Sequence, residues 1–349
     1  MVMRWENLAA PPDEGDPGRA APATPPLPLA LPDAIVRTFD TPDFAGMTFY
    51  EVRAKSILNK VPGTSRVPFE WTINPYRGCS HACVYCFARK THTYLDFDAG
   101  ADFDRQVVVK VNAGELVRRE VAAPRWRGAH LAMGTNVDCY QRAEGRYRLM
   151  PPIIEALRDF ANPFSILTKG TLILRDLPLL RQAAEVTRVG VSFSVGFVDE
   201  RLWRSAEPGT PSPRRRLDAV RQLADAGFAV GVLMAPILPG LSDSDESIDA
   251  TVAAIAAAGA ASVTPLPLHL RPGAREWYAH WLAREYPALV PRYRELYRAG
   301  AYAPQSYQRE LTARVRIAAR RHGLYRPDPG EHRQVTTPAP AAPEQLSLL

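Results

Sequence analysis

The chain is poor in cysteine, with four thiols in 349 residues. That is too few for a disulfide framework and is the usage expected in a reducing compartment. Long apolar runs are also missing. The longest apolar stretches, residues 230–238 and 252–261, fall well short of the roughly 20 residues that span a bilayer, so no membrane partner is expected. The N-terminal stretch lacks the basic-then-apolar pattern of a signal peptide and carries Glu6, Asp13, Glu14 and Asp16 among many prolines instead. The expected location is therefore cytoplasmic. No internal repeat is visible.

The few cysteines are unevenly placed. Cys79, Cys83 and Cys86 form a C-x3-C-x2-C triplet within Asn74-Pro-Tyr-Arg-Gly-Cys-Ser-His-Ala-Cys-Val-Tyr-Cys-Phe87, and Cys139 stands apart. Three thiols this close cannot all pair as disulfides, but three thiolates can converge on one soft metal centre. A structural zinc site wants four nitrogen or sulfur ligands, and the nearby candidates for the fourth are His81, inside the loop, and His92. A four-iron cluster ordinarily takes one cysteine per iron. Three cysteines then leave one iron open to a substrate or cofactor, which turns an electron carrier into a catalyst. A non-catalytic iron–sulfur or zinc module and a catalytic centre both fit this spacing.

With Tyr85 before its third cysteine, the triplet resembles that of the radical S-adenosylmethionine (radical SAM) superfamily. The chain is similar in particular to the branch holding spore photoproduct lyase and the DNA repair photolyase-like proteins. The other segments that carry the resemblance are Gly134-Thr-Asn-Val-Asp138 with Tyr140-Gln141, Leu167-Thr-Lys169 with Leu174-Arg-Asp176, Phe193-Ser194, and Ala235-Pro-Ile-Leu-Pro-Gly240. The resemblance implies a 4Fe-4S cluster on Cys79, Cys83 and Cys86, S-adenosylmethionine as second cofactor, and an external electron donor. The implied reaction is reductive cleavage of S-adenosylmethionine to a 5′-deoxyadenosyl radical, which takes hydrogen from an unactivated carbon. It further implies that Tyr85 lies by the adenine, that the loop with Gly134 and Thr135 receives the methionine amino group, and that Ser194 lies near the cofactor. Lys169 follows a buried strand, where a lysine is costly unless it meets an anion. The cofactor carboxylate would serve; a solvent-facing lysine is the alternative.

Two departures bear on the substrate. Gly134 stands where the lyase has the cysteine that returns a hydrogen atom to the product. Cys139, further along, is either a catalytic replacement or a buried structural thiol. Phe87 stands where the lyase has a second tyrosine and has no hydroxyl for radical relay. These differences argue against repair of the spore lesion itself and leave the lyase-like reaction class intact.

Between Pro-rich ends, short apolar runs alternate with amphipathic segments. Runs at 69–73, 130–133, 164–168, 190–195, 229–234 and 262–265 read as buried strands, and 113–121, 151–160, 176–185, 213–226 and 244–258 read as helices. Such alternation means βαβ units and a parallel sheet. The expected fold is α/β, an open partial (β/α)6 barrel of the TIM-like kind that the resemblance also implies, spanning residues 41–270. A purely helical, aromatic stretch at 271–326 is expected to pack on the barrel, its aromatics serving as core. Residues 1–40 and 327–349 are expected to be disordered tails.

The net charge of +6 and pI of about 9.2 make DNA or RNA a reasonable partner, although abundant Pro, Ala and Arg also reflect GC-rich coding. Arg214-Arg-Arg216 reads by default as a solvated helix face, and phosphate contact is the sharper alternative. The chain ends in Gln345-Leu-Ser-Leu-Leu349. This resembles the pentapeptide with which bacterial repair proteins and polymerases dock on the sliding clamp, and it reads otherwise as an incidental apolar tail. The functional alternatives are a radical enzyme acting on DNA, one acting on RNA, a peptide or a metabolite, and a non-catalytic metal module.

Overall fold

A computed structural model describes residues 31, 33–62 and 67–324. Most of the expected N-terminal tail and all of 327–349, including Gln345-Leu-Ser-Leu-Leu349, lie outside the described residues.

Six parallel strands run in sequence order: β1 (Trp71–Ile73), β2 (Leu131–Met133), β3 (Phe164–Thr168), β4 (Val189–Ser194), β5 (Gly231–Ile237) and β6 (Ser262–Pro267). An antiparallel strand, Leu58–Lys60, extends the sheet beyond β1. Strands covered on both faces need apolar residues on both faces, and β2 is buried along its whole length. Helices Ala113–Val121, Met150–Asp159, Leu177–Val186, Pro213–Asp225 and Asp245–Ala257 connect the strands. Ser212 and Ser244 cap the last two through their side chains. This is the α/β partial barrel that the sequence pattern predicts.

Three features depart from expectation. Ile35–Arg37, within the tail expected to reach residue 40, is a strand paired with Thr48–Val52. That pair belongs to a second sheet with Gln106–Lys110 and Tyr76–Arg77. Between the run read as a strand at 69–73 and the cysteine loop, Tyr76–Arg77 carries the chain into this second sheet.

After β6, the helices Ala274–Glu285 and Val290–Leu296 bring Tyr278, Trp281, Tyr293 and Tyr297 into one buried cluster with Val84, Tyr85, Phe197 and Leu268. Their polar ends are satisfied inside it. The Tyr278 and Tyr293 hydroxyls meet at 2.8 Å, and Tyr297 donates to the Leu268 carbonyl at 2.7 Å. Helix Gln305–Arg321 buries Leu311 and Val315 in the main core. No helix among the described residues is long and apolar enough to cross a membrane.

Glu144 joins the second sheet to the barrel. Fully buried, it accepts from Tyr76 (2.6 Å), Arg175 (2.6 Å) and the Leu149 and Met150 amides (2.9 and 3.1 Å). Replacing it leaves the buried Tyr76 hydroxyl and two amides without their acceptor, while Arg175 keeps its pair with Asp176. We expect Glu144→Ala to lower unfolding free energy in urea by about 3 kcal/mol, the cost of buried donors left unsatisfied; a loss below ~1 kcal/mol would show that water or neighbouring groups replace the carboxylate.

Candidate functional site

The three clustered cysteines sit in a tightly wound loop between the two sheets. Gly78 (φ 80°) opens it, and a Cβ there would lie 2.6 Å from the Gln106 carbonyl, so no other residue fits. Ala82 takes a left-handed conformation, φ 51°, and the Cys79 and Cys83 carbonyls accept from the Ala82 and Cys86 amides. Gln141 braces the loop with both ends of its amide, accepting from the Ser80 amide (2.8 Å) and donating to the Gly78 carbonyl (3.0 Å). From the other side the Val84 amide donates to the Ala206 carbonyl at 3.0 Å, and Gly209 packs so closely that a Cβ would fall 2.0 Å from the Ser80 carbonyl.

All four cysteines are free thiols. Burial pushes the Cys79, Cys83 and Cys86 thiols up, and each is a close enough neighbour of another for their charges to interact. Thiolates so placed need a positive centre to hold them ionised, which a bound metal cluster provides. The Ser80 hydroxyl, buried in the same loop, has no hydrogen-bond partner. Among the described residues no group of three or more His, Cys, Asp or Glu side chains is gathered to hold a single metal ion. An iron–sulfur cluster binds each cysteine to a different iron, so its ligands share no common atom. The donor set, a buried free-thiol triplet with an unpartnered hydroxyl, suits that group.

The ends of β2, β3 and β4 face the loop. Gly134 (φ 75°) follows β2 in such close contact with β3 that a Cβ would lie 1.8 Å from the Leu167 carbonyl. The Thr135 and Asn136 side chains beside it make no hydrogen bond within the described structure. Lys169, just past β3, donates to the Ser194 hydroxyl at 2.5 Å, and its ammonium lies 5.7 Å from the Tyr85 ring centre. Lys169, Ser194 and Tyr85 are thus brought together beside the cysteine loop.

Lys169 is not solvent-facing, and its nearest anion belongs to the protein: Glu207 Oε1, at 3.9 Å. Glu207 is wholly buried and also accepts from the Tyr85 hydroxyl and from Arg216. Sequence reasoning missed both residues. It assigned Arg216 to a solvated face, whereas Arg214 and Arg215 are exposed and Arg216 is 1% exposed. A signal was present: the buried positions of that helix run Pro213, Arg216, Ala219, Val220 and Leu223, so Arg216 falls on the apolar stripe. Cys139 is fully buried, its thiol pushed up by burial and then by Asp138 and Glu144.

Comparison with known proteins decides the family. The sequence model described as "Radical SAM superfamily" matches residues 73–251. The chain belongs to the radical SAM superfamily. It is a radical SAM enzyme, and its cofactors are those of the family, a 4Fe-4S cluster and S-adenosylmethionine. An uncharacterised protein of Mycobacterium tuberculosis is 48% identical over 352 residues, spanning 99% of this chain and 98% of that one. Another, from Methanocaldococcus jannaschii, is 29% identical over 203 residues, covering 58% of this chain and 72% of its own length. Among solved structures, a variant of spore photoproduct lyase superposes with a TM-score of 0.58 at 17% identity, over 78% of this chain and 79% of that one. A second variant, solved with AdoMet and dinucleoside spore photoproduct bound, gives 0.57 at 17% identity over 78% of each chain. At that identity the likeness is one of fold.

The contact between Gly134 and Leu167 makes a sharp test. Gly134→Ala adds a methyl group where none fits and a side chain where φ is positive. The expected cost is roughly 3 kcal/mol in urea unfolding; an alanine variant of unchanged stability would mean that β2 and β3 part freely at this point.

Proposed function

We propose that Cys79, Cys83 and Cys86 hold the 4Fe-4S cluster and that Gly134, Thr135, Lys169 and Ser194 receive the methionine end of S-adenosylmethionine, with Tyr85 against its adenine. The observation that carries this reading is the meeting of Lys169, Ser194 and Tyr85 beside the cysteine loop at the carboxyl ends of parallel strands, where such folds place their chemistry. When bound, the cluster supplies the electron for reductive cleavage of S-adenosylmethionine. The chain's own residues supply position and exclusion of water. Lys169 offers an ammonium to a carboxylate. Gly134 lets a ligand approach the backbone, and Thr135 and Asn136 offer unengaged polar groups. The packed aromatic cluster behind Tyr85 keeps that side dry.

For the substrate we favour DNA, in a lesion-repair reaction. The support is the basic charge of the chain and the shared fold with an enzyme solved with a dinucleoside lesion. Incubating the anaerobically reconstituted enzyme with S-adenosylmethionine, dithionite and deuterium-labelled damaged DNA tests this. Deuterium appearing in 5′-deoxyadenosine supports DNA; transfer only from RNA, a peptide or a metabolite refutes it.

The metal assignment is tested by single substitutions. Alanine at Cys79, Cys83 or Cys86 should abolish both iron binding and cleavage of S-adenosylmethionine, while Cys139→Ala keeps both. Iron lost from the Cys139 variant would make that thiol a fourth ligand and close the open iron.

We also propose that Gln345-Leu-Ser-Leu-Leu349 docks on the sliding clamp. A short segment that orders on binding should give an affinity on the order of micromolar. Removing these five residues should abolish binding to purified clamp; equal binding with and without them rules the role out.

A further inference from the structure

The cysteine loop is flanked by buried charges, and one group is unbalanced. Near Cys79 the His81 ring nitrogen lies 3.4 Å from Asp138. Near Cys86, Arg89 pairs with Asp104 at 2.8 Å. Beside Cys83 stand three charged groups: Glu207, Arg216 paired with it, and Lys169 at 3.9 Å. One carboxylate faces two cations, so this group carries a surplus positive charge away from water, where unbalanced charge is costly.

Stability does not account for it. Arg216 occupies an apolar position of its helix, its Nε has no partner, and an apolar side chain of similar volume packs there without desolvating a charge. Its remaining contact, Nη1 to the Ser194 carbonyl at 2.9 Å, aims it at the end of β4. The three charges gather around Tyr85, two residues from Cys83: its hydroxyl donates to Glu207, which Arg216 and Lys169 flank, and the Lys169 ammonium lies 5.7 Å from its ring centre.

We propose that Lys169, Glu207 and Arg216 form a fixed-charge set that poises the reduction potential of the cluster. This rests on the cluster assignment proposed above. One-electron reduction adds a negative charge to the cluster, and potentials of such centres follow nearby charge. A surplus cation beside Cys83 therefore favours the reduced state. Arg216 and Glu207 are positioning residues here, acting through the field and through Tyr85 and Lys169.

Neutral substitutions separate charge from damage. Glu207→Gln increases the surplus and should raise the potential. Arg216→Gln removes it and should lower the potential, as should Lys169→Met. Combining Glu207→Gln with Arg216→Gln restores the original charge count and should bring the potential back toward that of the unaltered protein, although both native side chains are gone. The measurement is an anaerobic dithionite titration of the reconstituted full chain, dithionite supplying the electron, followed by electron paramagnetic resonance with iron content checked. An unaltered chain that takes up no iron refutes the cluster assignment itself. Full iron content with Glu207→Gln and Arg216→Gln shifting the potential in the same direction, or not at all, overturns the charge set alone. Should Arg216→Gln not fold, Glu207→Gln against Lys169→Met carries the same opposed signs.

Discussion

The carboxylate of Asp138 is the joint on which the site depends. It accepts from the Thr168 hydroxyl and the Lys169 amide, both at 2.6 Å, and from the Tyr140 amide at 2.8 Å, and it meets His81 of the cysteine loop. Burial alone would raise its pKa, but the charge of His81 and the hydrogen bonds from His81, Lys169 and Thr168 hold it down to about 2. It is therefore ionised throughout the range in which proteins fold. One side chain thus fixes the loop after β2 and the exit of β3 against the cysteine loop. Gln141, three residues on, holds the loop through backbone atoms of Gly78 and Ser80. Asp138 and Tyr140-Gln141 belong to segments by which the chain resembles its family, and the structure gives them a mechanical role.

The barrel was legible because its strands are short, mostly apolar runs, β2 buried throughout and β3 at alternate positions. The helices between them keep their 3.6-residue period. Two of those helices are followed by glycines with positive φ, Gly227 and Gly259. The second sheet was not. Tyr76–Arg77 is a two-residue strand and Ile35–Arg37 a three-residue one, too short to show any period. Each exists because partners distant in sequence, Gln106–Lys110 and Thr48–Val52, complete its ladder. Proline-rich composition also hid Ile35–Arg37, since it says how little core a segment can build and nothing of an edge it can join.

The site was legible in proportion to how local its signal is. The cysteine triplet and Tyr85 lie in one stretch of eight residues. Lys169 and Ser194 each end a recognisable strand, and only the order of the sheet brings them together. Glu207 and Arg216 have no such marker. An arginine in a run of three looks solvated until the period of its helix is counted, and Glu207 becomes a buried anion only once Tyr85, Lys169 and Arg216 converge on it.

Tyr85 is where the two halves of the molecule meet. Its ring belongs to the aromatic core of the helical extension, and its hydroxyl belongs to the charged set below the cysteines. The connection continues through the backbone. Trp281 of the extension donates to Ser205 at 2.8 Å, and the next residue, Ala206, accepts from the Val84 amide of the cysteine loop. A carboxylate that must stay ionised beside an aromatic core needs both a dry wall and fixed donors. The extension provides the wall, while Tyr85, Arg216 and Lys169 provide the donors and charge. The helical extension is therefore structural support for the cysteine loop, and the aromatic residues that looked like packing in the sequence are packing whose purpose lies in the site.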